Sequence, residues 1–484
     1  MNKMPFNSFV FILLFLPLTI TFYFCFNKIN PVLGKIVLLI ASIFFYAYSG
    51  YSTLIVFGMS IMINYLFSLL IKKLDKWNKV FLCIPVVINV GLLLYFKYLN
   101  FAIANMNRFW GMEWAFRDLV LPLGISFFSF QQIAYVVAIY KGEIKNHSLL
   151  DYLVYISYFP KLLMGPLADP VDFITQLNEG VKKVDWDNIA RGVKIFSFGL
   201  FKKLMLADVF AMAVSWGFTN VETATSLDWI IVMLCYTFQI YFDFSGYSDM
   251  AVGVSLMLNI DLPMNFDSPY KALSIRDFWK RWHMSLTKFF TKYVYIPLGG
   301  SRKGKLLTYV NTIIVFFISG LWHGANWTFI LWGVLHGAFM IFDRIFEPLE
   351  EKVFEPVRWF GSFLSVNILW LLFRSETIEQ WKTILKSMAR LDNTTISDGL
   401  INCFLIQEST FLNDIFHLHI FANNIRGFWL LLFIFVSFGI CLIPENNYRS
   451  RKKLSVGSMF LAFIAFVWGF ICLSGESVFV YFNF

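Results

Sequence analysis

"ISGLWHGANWTFILWGVLHG", residues 318–337, holds two histidines in a stretch otherwise apolar enough to cross a membrane. An ionisable ring in such a setting is costly to bury, so a partner or a chemical task must hold it there. His323 sits near the join of two apolar runs, between Trp322 and Gly324, and His336 follows. Read as one helix over 323–336, the stretch sets the two side chains ~20 Å apart and about 140° out of phase, too far for one small site. One ring is then expected to react and the other to support it. Imidazole titrates near neutrality, so His323 can take a proton from a hydroxyl and return it. A hydrogen-bonded structural histidine, or a step in a proton path, fits the same residue.

The surrounding composition points to lipid. Of 484 residues 58% are hydrophobic and 15% charged, against about 25% charged in soluble domains, which defines an integral membrane protein. Aromatics reach 20%, led by 58 phenylalanines. Six cysteines occur singly, with no Cys-x-x-Cys pair, so neither a disulfide framework nor a zinc site is indicated. The formal charge of +9 calls for no nucleic acid, because excess Lys and Arg in a membrane protein mark cytoplasmic loops.

Apolar runs of helical length fall near 8–26, 34–48, 52–71, 80–96, 119–140, 192–217, 229–258, 306–322, 326–345, 357–373, 427–443 and 455–473. The first is expected to be a retained helix. The 229–258 run exceeds the ~30 Å hydrocarbon core, so it must tilt, bend or break, most readily at "DFSGYSD", 243–249. "LVYISYFPKLLMGP", 153–166, is short and carries two prolines, which suits a re-entrant or interfacial segment. Lys28, Lys35, Lys72, Lys73, Lys76 and Lys79 place the loops after the first and third runs inside. Alternation then puts 259–305 and 446–453 inside. Both termini and the acidic loop 374–425 fall outside. The chain reads as one membrane domain over 1–484.

Three stretches carry candidate chemistry. In "IRDFWKRWHMSLTKFFTKYVYIPLGG", 275–300, Trp279, Trp282, Leu286, Phe289 and Tyr293 recur at helical spacing, with Lys280, Arg281 and Lys288 elsewhere. That predicts an amphipathic helix with aromatic anchors at the cytoplasmic interface. Its His283 either packs there or serves a site. The 318–337 stretch supplies His323. In "QIYFDFSGYSDMAVG", 239–253, Asp243 and Asp249 must pair, stay neutral or line a watery cavity. They orient a histidine, bind substrate, or simply cap and bridge helices. Phosphate loops, Gly-x-Ser-x-Gly elbows and His-Glu-x-x-His are absent, and no metal site is expected.

Taken together these stretches resemble the membrane-bound O-acyltransferase (MBOAT) family, and most closely its alginate O-acetyltransferase branch. The resemblance rests on "LPLGISFFSFQ" (121–131), "YFDFSGYSDMAVG" (241–253), "NFDSPYKALSIRDFWKRWHMSL" (265–286), "YIPLGGSRKG" (295–304) and "SGLWHGANWTFILWGVLHG" (319–337), in order within 1–345. It implies an all-α polytopic fold of eleven to thirteen transmembrane helices with re-entrant or interfacial pieces. It also implies a tunnel whose acyl donor arrives from the cytoplasm. His323 then maps onto the catalytic histidine of Trp-His-Gly, and His283 onto the second polar position. Asp243, Asp249, Trp282, Trp322 and Asn326 become substrate-binding or supporting candidates. Two departures touch the donor side: Asp169 stands where the family pattern runs to Arg, and Lys292 where it carries Asp.

The expected activity is transfer of an acyl group, most plausibly acetyl, from a thioester such as acetyl-CoA to hydroxyls of an exported polysaccharide. No resident cofactor is expected. Lys280, Arg281 and Lys288 are the candidates for binding donor phosphates or an acidic acyl-carrier protein. An extracytoplasmic acetyltransferase partner is implied by the resemblance, with the loop 374–425 as its docking surface. The setting is the plasma membrane of a bacterium. D-alanyl transfer to teichoic acid from a carrier protein is the alternative within the family, and a proton-coupled transporter is the alternative outside it.

Overall fold

The computed structural model describes residues 4–145, 148–350, 352–391, 393–474 and 479. Among them the regular secondary structure is all helical, with no strand. Eight helices are long and apolar enough to cross a membrane, and three shorter apolar helices accompany them. The chain is therefore a multi-pass, all-α membrane protein. Backbone contacts divide it into two compact units.

The first unit comprises 1–198, 247–264 and 452–464. It contains α1 (Val10–Ile29), α2 (Pro31–Gly50), α3 (Leu54–Lys73), α4 (Asn78–Trp110), α5 (Ile125–Tyr140), α6 (Leu149–Ser157), α7 (Pro170–Leu177) and most of α8 (Trp186–Phe201). Apolar burial gives little drive between helices in lipid, so buried polar pairs contribute to holding them together. Asn89 donates to Asn64 at 2.7 Å, Gln132 to Ser60 at 3.0 Å, and Lys35 to Asp151 at 2.6 Å. The proline-bearing 153–166 segment is short and buried, as a re-entrant piece requires, and the Phe159 amide is satisfied by the Ser42 hydroxyl at 3.1 Å. Asp169 caps α7, its carboxylate accepting from the Val171 amide at 2.9 Å.

The second unit comprises 199–246, 265–451 and 465–484. It includes α9 (Asp208–Thr219), much of α10 (Ser226–Met257), α11 (Ile275–Arg281), α12 (Met284–Phe290), α13 (Lys305–His323), α14 (Trp327–Glu350), α15 (Glu355–Arg374), α16 (Ile378–Arg390), α17 (Gln407–Phe416) and α18 (Phe428–Leu442). The loop 374–425 is thus partly helical. Three expectations change here.

First, of the tilt, bend or break expected of the 229–258 run, the break does not occur: α10 runs unbroken for 32 residues. Asp243 pairs with Lys203 beyond the helix instead of capping a break. Most of the helix is covered by protein, so its length need not match the hydrocarbon thickness.

Second, the 275–300 segment is not one interfacial helix. It folds back on itself between α11 and α12, where Trp282 is extended and His283 adopts φ 44°, ψ 51°, the left-handed region. The aromatic stripe faces protein: Trp279, Trp282, Leu286 and Phe289 are all buried. From its tip beside Trp322 the hairpin runs back along α13, where the Asn311 side-chain amide donates to the Gly300 carbonyl at 3.0 Å.

Third, 323–336 is not one helix. α13 ends at His323 and α14 starts at Trp327, and the two pack as an antiparallel pair. A Cβ on Gly320 would collide with the Phe329 carbonyl, and one on Gly333 with that of Phe316. Only glycine lets the two backbones approach so closely.

Candidate active site

His323 is the last residue of α13, and Gly324 then leads the chain away extended. A Cβ on Gly324 would run into the Phe329 ring, which explains a glycine directly after this histidine. The imidazole is 4% exposed. Three aromatic rings meet it edge to face: Trp322 at 4.9 Å, Trp332 at 5.1 Å and Phe373 at 5.1 Å between centroids. Such a cage fixes the ring plane and excludes water. Asn326 starts the next helix, its side-chain oxygen accepting from the Thr328 amide at 3.1 Å and its amide donating to the Glu376 carbonyl at 2.8 Å. It is a cap and a loop pin beside the site.

His283 reaches the same neighbourhood from the hairpin. Its ring lies 4.7 Å from Phe244 and 6.2 Å from Trp322, so the Trp322 indole adjoins both histidines. The tip is held by Asn265: the Met284 amide donates to its carbonyl at 3.0 Å and the Ser285 amide to its side-chain oxygen at 3.2 Å. A further rung joins the Asp267 amide to the Arg281 carbonyl at 3.0 Å. Neither ring nitrogen of His283 has a hydrogen-bond partner among the described residues. Burial pushes its imidazole down to about 3, so the ring is neutral at physiological pH. Trp282 packs into the neighbouring aromatic wall, 5.0 Å from Trp370 and 5.0 Å from Phe266.

His336 belongs to the same cluster, which the single-helix reading excluded. Its ring is 4.7 Å from Trp332, on which His323 also packs, so the separation of the two histidines cannot exceed the sum of two ring contacts. The Trp279 indole N–H donates to His336 Nδ1 at 3.2 Å. Nδ1 therefore carries the lone pair and Nε2 the proton.

Asp243 stands in a buried ion pair with Lys203 at 2.7 Å, and Lys203 also reaches Asp208 at 2.8 Å. Of the roles open to this aspartate, the structure shows a bridge between α10 and the π-helical segment Lys202–Ala207. Its neighbour Phe244 supplies the ring against His283. Asp249, six residues on and so on another side of α10, is buried in the first unit.

The basic candidates divide. Lys280 and Lys288 are exposed, whereas Arg281 is committed to Asp277 at 2.8 Å. A cavity of about 250 Å³ lies between the hairpin and the α13–α14 pair. Arg276 and Arg344 line it, along with Tyr309, Thr287, Trp279 and Ser319. The sequence reading singled out neither arginine for the donor. Arg276 is paired with Glu347 at 2.7 Å. Ser319 lies one helical turn before His323, so the cavity ends close to that histidine. Among the described residues no His, Cys, Asp and Glu cluster could hold a metal ion.

The hairpin tip and the end of α13 thus bring two buried histidines against one indole, that of Trp322. The profile of the membrane-bound O-acyltransferase family matches residues 43–374, and the chain belongs to it. It is 37% identical to a peptidoglycan O-acetyltransferase of Helicobacter pylori, over 99% of this chain and 97% of the relative. It is 36% identical to a probable alginate O-acetylase of Azotobacter vinelandii, over 82% and 80%. A teichoic acid D-alanyltransferase of Streptococcus thermophilus is 29% identical over 55% of this chain. The chain is accordingly an O-acyltransferase with O-acetyltransferases among its relatives.

Proposed function

We propose that the protein moves an acetyl group from a cytoplasmic thioester to hydroxyls of an exported cell-wall glycan, directly or through an extracytoplasmic partner. The single observation that carries this reading is the caged His323 at the C-terminal end of α13, in a chain whose full length matches a peptidoglycan O-acetyltransferase. His323 takes the proton of the attacking hydroxyl, and the oxygen adds to the thioester carbonyl. The tetrahedral intermediate collapses with loss of thiolate, which recovers the proton from the imidazolium. His283, neutral and approaching from the hairpin, orients or polarises the acyl group.

For the donor, the cavity between hairpin and α13 is the best supported route. Its span along α13 from Tyr309 to Ser319 is about 15 Å at helical rise, which suits an extended pantetheine arm. Arg276 and Arg344 offer charge to its phosphate. The setting is the plasma membrane of a bacterium, with the basic 259–305 segment on the cytoplasmic side.

The test is transfer of labelled acetyl from acetyl-CoA to added glycan by protein in liposomes, wild type beside His323→Ala. Transfer lost in the variant is the expected result. Transfer only from an aminoacylated carrier protein moves the assignment to the D-alanyl branch, and equal transfer by both proteins removes His323 as the base.

A further inference from the structure

Thr328, Trp332 and His336 recur at four-residue intervals on one face of α14, and all three side chains are fully buried. Each carries a polar atom with no hydrogen-bond partner among the described residues: the Thr328 hydroxyl, the Trp332 indole Nε1 and His336 Nε2. Buried polar atoms in folded proteins are nearly always paired, so an orphan points to a ligand, a water or a catalytic task. None of the three has a part in the chemistry above.

At two of these atoms only donation is open. Indole Nε1 has no lone pair to offer, and His336 must carry its proton on Nε2, because Nδ1 already accepts from the Trp279 indole. The two rings touch at 4.7 Å between centroids, and the Trp332 ring meets His323 edge to face at 5.1 Å. The pair also adjoins the donor cavity. Trp279 and Phe316 line that cavity and lie 5.1 and 6.3 Å from the His336 ring. Further along the same face of α14, Met340 and Arg344 line it as well. A thioester entering past Arg344 therefore approaches His336 and Trp332 on its way to His323.

We propose that the Trp332 indole N–H, with His336 Nε2–H beside it, binds the carbonyl oxygen of the acyl thioester and stabilises the oxyanion formed from it. The proposal rests on the reading of His323 as the base and adds the groups that receive the negative charge. As the acceptor oxygen bonds to the carbonyl carbon, the C=O π pair moves onto the carbonyl oxygen and the hydroxyl proton passes to His323. The pair returns when the C–S bond breaks, and the departing thiolate takes the proton back. Donors already desolvated by folding, with no acceptor of their own, need no reorganisation when that charge develops. His283 keeps the orienting part.

The experiment compares wild type with protein carrying benzothienylalanine in place of Trp332, where sulfur replaces the N–H and the ring keeps its size. Trp332→Phe, His336→Leu and His336→Gln are assayed beside it in liposomes with acetyl-CoA and glycan. Loss of the N–H at 332 should lower kcat about 10²–10³-fold. The donor KM should stay within about threefold, since the bond strengthens in the transition state. His336→Leu should lose more than His336→Gln, whose amide can donate in place of Nε2. A second readout separates this from loosened packing: the infrared stretch of carbon-13 carbonyl-labelled acetyl-CoA bound to His323→Ala protein. Replacing the N–H at 332 in that background should move the band to higher frequency. An unshifted band, or wild-type kcat from a folded position-332 variant, overturns the proposal. Should neither 332 variant fold, the band in His336→Leu beside His336→Gln decides, and equal positions overturn it. Wild type that transfers only from an aminoacylated carrier sinks the acetyl reading alone. That thioester presents the same carbonyl, and the same variants assayed with it then decide the site.

Discussion

Asn265 accepts the Met284 amide N–H at 3.0 Å, and through this bond the 265–267 segment holds the tip of the hairpin that bears His283. Its side chain adds the bond from Ser285. Asn265→Ala should keep the first bond and lose the second, leaving a buried N–H unpaired at a cost of about 1–3 kcal/mol. The expected outcome is a lower melting temperature in detergent and a fall in kcat with little change in KM for the donor. Wild-type kcat in the variant would show that the tip needs no such support.

The Trp279–His336 bond offers a cleaner measurement. Trp279→Phe removes the donor and leaves Nδ1 of a fully buried ring unsatisfied, a loss of about 1–3 kcal/mol. His336→Leu made in the Trp279→Phe background should then cost less than in wild type. A thermal-unfolding double-mutant cycle should give a coupling of about 0.5–3 kcal/mol. Strict additivity would mean that the two rings merely pack.

Lys203 is nearly inaccessible between two aspartates, of which Asp243 is equally buried and Asp208 partly exposed. Lys203→Met should strand the Asp243 carboxylate and cost about 3–5 kcal/mol, enough to lose monodisperse protein on size exclusion. Asp243→Asn leaves Lys203 its second partner, so its effect should be markedly smaller. The reverse order of severity would contradict the ion-pair assignment.

The pH dependence follows from His283. Its folded imidazole titrates at about 3 and its unfolded one near 6.5, so between those values the unfolded chain binds the extra proton. Stability from this group is complete above pH 6.5 and falls as the pH drops towards 3, by at most about 1.4 kcal/mol per unit. Denaturation at pH 7 and pH 4.5 should show a shallower acid loss in His283→Gln than in wild type. Parallel profiles would place the ring in contact with water.

Much of this architecture is legible in the residues because lipid imposes a coarse rule: runs of about 20 apolar residues become helices. The join near 322–326 could be read as well, since glycine and asparagine there end one helix and start another. The hairpin could not. Trp279, Trp282, Leu286, Phe289 and Tyr293 have the spacing of one continuous helix, and nothing local to Trp282 or His283 marks a reversal. The left-handed turn is imposed by Asn265, eighteen residues earlier. Tertiary pairing likewise hid the role of Asp243, whose partner lies forty residues before it, and kept α10 unbroken where a polar cluster suggested a break. His336 looked remote from His323 only while both were placed on one helix.

The glycine seam joining α13 to α14 has a consequence for adaptation. With Gly320 and Gly333 back to back, the position of His323 is set by main-chain contact, with no side-chain cushion to absorb change. A single added methyl there would push the whole pair apart and move the histidine with it. Altered acyl or acceptor size is therefore closed to substitution along this seam and must come from the aromatic walls, Phe373 and Trp370 first among them. An engineer seeking a new donor should leave the seam untouched and diversify those rings.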